Sequence, residues 1–145
     1  MLRSPGPYLH GPRRYNTLPM IPTENKTVRV GLVQMRCSAS RAHNLESAIS
    51  GIRRAAHAGA QIICLPELFL TPYFCQRQDP SLFELAEPVP GPTTERLSCA
   101  AREAGVAVVA SVFERRAPGV YHNTAVLFDA DGSLRGSYRK MHIPD

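Results

Sequence analysis

Glu67 and Lys140 are the residues of this chain whose type and position are best suited to chemistry. Glu67 closes the apolar run Gln61–Pro66, and Lys140 closes the alternating run Leu134–Arg139. Each sets one charged side chain at the mouth of an expected strand, where ionised groups are costly and are usually retained for a reaction. A carboxylate sheltered from water, and so shifted towards neutral pH, can take a proton from a nucleophile and return it to a leaving group. A lysine ammonium can stabilise the oxyanion that forms at an amide-like carbonyl. Together they are the parts of an acyl-transfer site that still needs its attacking atom. Each also has a plainer role open to it. Glu67 can cap a helix or pair with a surface lysine, and Lys140 can guard a strand end against edge pairing.

The elements that must position these two residues are legible as periodicities. Val28–Met35 is a β-branched run that reads as a strand buried on both faces. From Asn44 to Ala58, the residues Leu45, Ala48, Ile49, Ile52, Ala55 and Ala56 recur at helical steps, and Gly59 stands where a helix ends. Gln61–Pro66 follows as a second strand, so the crossover is right-handed and the strands parallel. After a long irregular stretch, Pro90-Gly91-Pro92 punctuates the chain. Thr93 or Thr94 then caps a helix that runs to Ala104 with Leu97, Ala100, Ala101 and Ala104 inward. Val106–Phe113 is a third buried strand. The runs 123–128 and 134–139 flank Asp129-Ala130-Asp131-Gly132 as a hairpin. The outcome is an α/β arrangement, a mixed sheet with helices on one face, whose other face is apolar and lacks a cover.

Composition narrows the remaining readings. A chain of 145 residues is one domain or part of one, and it has no apolar stretch near the ~20 residues a membrane-spanning helix needs. The net charge of +5 is uneven, because residues 1–27 hold four basic side chains against Glu24. With five prolines and no periodicity, 1–27 reads as a disordered basic extension, too broken for a transit helix and lacking a secretory core. The body has only isolated basic pairs such as Arg53-Arg54 and Arg115-Arg116, read as a helix face and a loop, so nucleic acid is not an expected partner. Cys37, Cys64, Cys75 and Cys99 form no C-x-x-C pair and match no histidine spacing. No metal is expected, and reduced thiols point to the cytoplasm.

Gly31-Leu32-Val33-Gln34-Met35, Leu65-Pro66-Glu67-Leu68-Phe69 and Tyr138–Asp145, at their spacing in this chain, resemble motifs of the nitrilase, or carbon–nitrogen hydrolase, superfamily. Pro72-Tyr73-Phe74-Cys75-Gln76 and Tyr121-His122-Asn123-Thr124-Ala125 are most similar to its N-carbamoylputrescine amidohydrolase branch. The resemblance covers residues 28–145 and implies the first half of a four-layer α-β-β-α sandwich, in which a second sheet covers the open face. It also implies a Glu-Lys-Cys triad: Glu67 as general base, Lys140 at the oxyanion, and the cysteine beyond the last residue given, with no organic cofactor. None of the four cysteines matches that nucleophile, so the chain alone is expected to be inactive and the full-length protein to be a homo-oligomer.

The implied substrate is a small carbamoyl-amine or amide, with Tyr73 and Phe74 as the nearest candidates to touch it, although loop anchoring is their commoner role. Asn123 reads as a strand-start residue. The branch would carry a glutamate soon after Glu-Leu-Phe, where this chain has Leu70. That departure leaves other ureido acids, such as β-ureidopropionate, and aliphatic amides open as substrates. Two non-enzymatic readings also stand: an interaction module using the uncovered sheet face, and a nucleic-acid binder acting through the basic extension.

Overall fold

A computed structural model describes residues 27–143, so all but the last residue of the 1–27 segment read as an irregular extension, and the end of the Tyr138–Asp145 motif, fall outside the described residues. The chain forms β1 (Val30–Leu32), α1 (Arg41–His57), β2 (Ile62–Cys64), α2 (Pro92–Ala104), β3 (Ala107–Ala117), β4 (Val120–Phe128) and β5 (Leu134–Arg139). The five strands lie in the order β1-β2-β3-β4-β5. The first three are parallel, and the hairpin adds β4 and β5 antiparallel.

Local chemistry sets the element ends. The Ser40 side chain accepts a hydrogen bond from the His43 amide and starts α1. The cap of α2 lies two residues before Thr93: it is Gly91, and the Thr94 hydroxyl accepts from the Gly91 amide at 2.7 Å. Threonine thus caps from inside the first turn, because Pro92 is tolerated at the first helical position. Gly105 ends α2 in the left-handed conformation at φ 64°. Gly31 serves close packing instead. A Cβ there would lie 2.9 Å from that of Ala55 and 3.0 Å from that of Ala60, so only glycine lets α1 settle on β1.

Both helices pack on one face of the sheet. Ala48, Ile49 and Ile52 from α1 and Leu97, Ala100 and Ala101 from α2 join Ile63, Val108, Ala110, Val112, Val126 and Phe128 in one core. The sheet's opposite face is open, as its apolar composition without a covering layer implied. Val30 is 53% exposed, Leu32 79% and Tyr138 63%.

Several expectations are corrected. The first strand is not buried on both faces: β1 is a three-residue edge strand whose outward side chains, Val30 and Leu32, are exposed among the described residues. Strand β3 alternates between fully and partly buried residues, and it extends to Ala117, so Arg115 and Arg116 stand on an exposed strand end and not in a loop. The irregular stretch contains a 3-10 turn at Pro80–Leu85. It is tied to β3 where the Glu87 amide donates to Phe113 O and the Arg115 amide donates to Glu87 O.

Two predictions follow the asymmetry of the faces. Ile63→Ala should cost about 3 kcal/mol by opening a cavity, whereas Val30→Ala should stay within about 0.5 kcal/mol, and equal losses in chemical denaturation would contradict a one-sided core. The purified chain should self-associate through its open face, and Leu32→Ser should reduce this in sedimentation. A monodisperse monomer with cooperative melting would count against it.

Candidate active site

The turn after β2 presents Glu67 because the next three side chains are buried. Leu68, Phe69 and Leu70 are 3%, 0% and 8% exposed, which leaves the glutamate as the residue that faces out. Two side chains hold this turn from behind. Asn44 on α1 donates to Leu70 O at 2.8 Å, and the Cys37 thiol donates to Phe69 O at 3.2 Å. Leu68 adopts φ 50°, a left-handed conformation that costs a branched side chain about 1–2 kcal/mol and persists only where its surroundings enforce it.

Lys140 follows β5 on the same side of the sheet. Its ammonium donates to Glu67 Oε1 at 2.9 Å, and its backbone amide donates to Asn123 O at 2.9 Å. The preceding residue, Arg139, points the other way, as strand alternation requires. Its guanidinium makes a two-pronged contact with Glu114, 2.8 Å to Oε2 and 2.6 Å to Oε1. Glu114 is 2% exposed and also accepts from the Thr124 hydroxyl. Consecutive residues therefore anchor β5 on one face and deliver the ammonium on the other.

Two residues not recognised as partners in the sequence complete the site. Asn123 Nδ2 donates to Glu67 Oε1, and the Ser111 hydroxyl donates to Asn123 Oδ1 at 2.8 Å. Asn123 is not a strand-start residue, since β4 begins at Val120. Ser111 did carry a signal, as the lone hydroxyl in the apolar run Val106–Phe113.

The electrostatics correct one expectation. Glu67 is not raised towards neutrality: the Lys140 hydrogen bond holds its carboxyl below the ordinary carboxylate range, partial burial opposes this, and Asn123 adds to the lowering. The physical reason is the lysine: with the Glu67 side chain 44% accessible, the desolvation that would raise the carboxyl is only partial and does not outweigh Lys140. Lys140 is raised in turn, first by its hydrogen bond to Glu67. A lowered carboxyl stabilises the fold above its ordinary titration and loses that contribution as pH falls through the folded value. A raised lysine contributes below its ordinary titration and loses that contribution as pH rises through the folded value. The pair is intact across neutrality.

Tyr73 is 43% exposed, and its hydroxyl is raised by hydrogen bonding with Cys75, with the Glu67 carboxylate also contributing. Phe74 instead packs on Phe113 with ring centroids 4.9 Å apart, and Phe83 packs on Tyr121 at 4.5 Å. The two expected substrate contacts thus part company: Tyr73 stands beside the ion pair and Phe74 anchors the loop. Phe74, Cys75, Phe83 and Phe113 line a cleft of about 610 Å³ that neither Glu67 nor Lys140 borders. All four cysteines are unpaired thiols, and burial raises Cys37. Leu70 lies in the core, so the departure at that position bears on packing more than on the pair. Among the described residues, no cluster of metal-ligating side chains forms and no helix is long and apolar enough to cross a membrane.

Comparison with known proteins bears on the family and the fold. Residues 29–145 match the family described as carbon-nitrogen hydrolase. The chain is 41% identical over 123 residues to an N-carbamoylputrescine amidase of Solanum lycopersicum, covering 84% of this chain and 41% of that protein. It is 39% identical over 119 residues to a citrullinase of Francisella tularensis, covering 81% and 41% respectively. A crystal structure of a carbon-nitrogen hydrolase from Helicobacter pylori superposes with TM-score 0.76 at 38% identity, over 81% of this chain and 41% of that one. The chain thus spans about two fifths of the length of the relatives it matches.

If the ammonium is what holds the carboxyl down, Lys140→Met should raise the titration of Glu67, followed by carboxyl-carbon NMR in the glutamate-labelled chain. An unmoved titration would assign the lowering elsewhere.

Proposed function

The chain belongs to the carbon-nitrogen hydrolase family, and from that membership we propose that it supplies the base and the oxyanion clamp of an amidohydrolase acting on a terminal urea. N-carbamoylputrescine, cleaved to putrescine, carbon dioxide and ammonia, is the substrate we favour. The observation that carries this reading is the 2.9 Å contact between Lys140 Nζ and Glu67 Oε1 across 73 positions of sequence. The names of two relatives support the substrate class, because N-carbamoylputrescine and citrulline share a terminal ureido group.

In this mechanism Glu67 accepts the proton of a cysteine thiol that lies outside residues 1–145, and the thiolate forms a bond to the ureido carbon. Lys140 balances the negative charge that develops on the carbonyl oxygen. Collapse of the tetrahedral species breaks one carbon–nitrogen bond. The departing nitrogen takes the proton from Glu67, and an S-carbamoyl enzyme remains. Water then attacks that carbon while giving a proton to Glu67, the carbon–sulfur bond breaks, and the proton returns to sulfur. With the amine already released, the carbamate so formed decomposes to carbon dioxide and ammonia. Tyr73, beside the pair, is the candidate substrate contact.

Residues 1–145 alone should release no ammonia from N-carbamoylputrescine above a Glu67→Gln control. Joined to the portion its relatives have beyond this span, the chain should hydrolyse it, and Lys140→Ala should lower kcat about 10²- to 10³-fold while the protein stays folded. Turnover by residues 1–145 alone would put the attacking sulfur within the chain, with Cys75 as its candidate. Retained activity in Lys140→Ala would remove the lysine from the mechanism.

A further inference from the structure

Both donors to Glu67 meet the same oxygen. Lys140 Nζ and Asn123 Nδ2 bond Oε1, and among the described residues Oε2 has no partner. A carboxylate on a flexible side chain could exchange its two oxygens by rotation, so a fixed division of labour needs something that orients it.

The orienting group is itself oriented. An asparagine amide presents a donor at one end and an acceptor at the other, and only the donor end suits a carboxylate. The Leu68 amide donates to Ser111 Oγ at 3.2 Å, which directs the serine proton elsewhere, and it goes to Asn123 Oδ1 at 2.8 Å. With its oxygen so occupied, the amide turns Nδ2 towards Glu67. Ser111 and Asn123 lie on the same face of β3 and β4 as diagonal neighbours, because Ser111 pairs with Ala125 and Phe113 with Asn123. The circuit closes on itself: the peptide that follows Glu67 sets the serine, the serine sets the asparagine, and the asparagine sets the Glu67 carboxylate. The same Asn123 accepts the Lys140 amide through its carbonyl, which fixes where the lysine side chain begins.

We propose that Ser111 and Asn123 form a positioning relay that holds Glu67 Oε1 against Lys140 and presents Oε2 as the single oxygen available to the reacting proton. The relay is a feature of this chain's geometry, and its catalytic consequence rests on the reading of Glu67 as a base. Neither residue touches substrate; both act through Glu67. A proton arriving at Oε2 meets an oxygen with free lone pairs, whereas at Oε1 it would have to displace two donors.

The groups facing Glu67 are Lys140 after β5, Tyr73 and Cys75 from the loop, and the neutral Asn123 and Ser111 from the sheet. Tyr73 and Lys140, both raised, do not change charge where a carboxyl titrates, so a variant in the relay isolates the relay's own effect. Carboxyl-carbon NMR of the labelled chain, assigned with Glu67→Gln, should show Glu67 titrating higher in Asn123→Ala and in Ser111→Ala. The titration should be at the wild-type position in Ser111→Thr, which keeps the hydroxyl. In the chain joined to the portion its relatives have beyond this span, Asn123→Ala should lower kcat about tenfold to a hundredfold with KM nearly unchanged and the acid limb of the pH profile moved upward. Should Asn123→Ala fail to fold, Ser111→Ala carries the same test. An unchanged Glu67 titration in both alanine variants overturns the relay, and so does a Ser111→Thr that behaves like Ser111→Ala. If the joined protein hydrolyses nothing, the base reading of Glu67 fails while the titration still decides the relay.

Discussion

A carboxylate after β2 can touch an ammonium after β5 only if the strands between them keep a fixed order and register. The two residues are 73 positions apart, so their contact is paid for by closing a long loop of chain, and a surface ion pair returns little of that entropy. The core on the helix side must therefore supply the cohesion. Ile52, Ile63, Leu97, Val108 and Phe128 do so, and the Glu67–Lys140 contact is a consequence of that packing and not a cause of it.

Register is the more delicate requirement, because a slip of one residue along β5 would turn Lys140 to the helix side. Arg139 prevents the slip. Its partner Glu114 is buried and also accepts from Thr124 of β4, and a buried carboxylate without its cation would be far less favourable than a paired one. Buried ion pairs are weak sources of net stability, yet they penalise alternatives heavily, which is the property a register lock needs. The Arg139 hydrogen bonds hold the Glu114 carboxyl below its usual range, so the lock stays charged across the neutral range. The hairpin turn adds a second restraint. Gly132 sits at φ 82°, and a Cβ there would lie 2.6 Å from Ser98 O, so the turn fits against α2 only as glycine.

Much of this was legible in the sequence because it rests on periodicity. The helical recurrence from Leu45 to Ala56, the stripe from Leu97 to Ala104 and the turn at Asp129–Gly132 each follow from local spacing, and the structure places an element at each. The open sheet face was legible too, since two crossover helices of one hand cannot cover both sides. What periodicity could not give was the lateral partnership of strands. Whether Val30 and Leu32 are buried depends on what lies over their face of the sheet as well as beside β1, which as an edge strand has a single neighbour among the described residues. The same holds for Ser111 and Asn123: each is unremarkable along its own strand, and the pairing appears only once β3 and β4 are laid side by side.

The direction of the Glu67 shift shows how far a site depends on its surroundings. The reasoning that a base should be raised towards neutrality assumed shelter from water, whereas the described carboxylate is partly wet and salt-bridged, so it is lowered. Any layer that covered the apolar face would change both terms at once. Removing water raises a carboxyl and lowers an ammonium, while the Coulombic attraction between them strengthens as the local dielectric falls. These effects oppose each other for Glu67, so the pair can keep its geometry while its proton affinity moves. Geometry is therefore set by the helix-side core and the Arg139–Glu114 lock, and reactivity by what stands over the opposite face. The two are separable because they lie on different sides of one sheet.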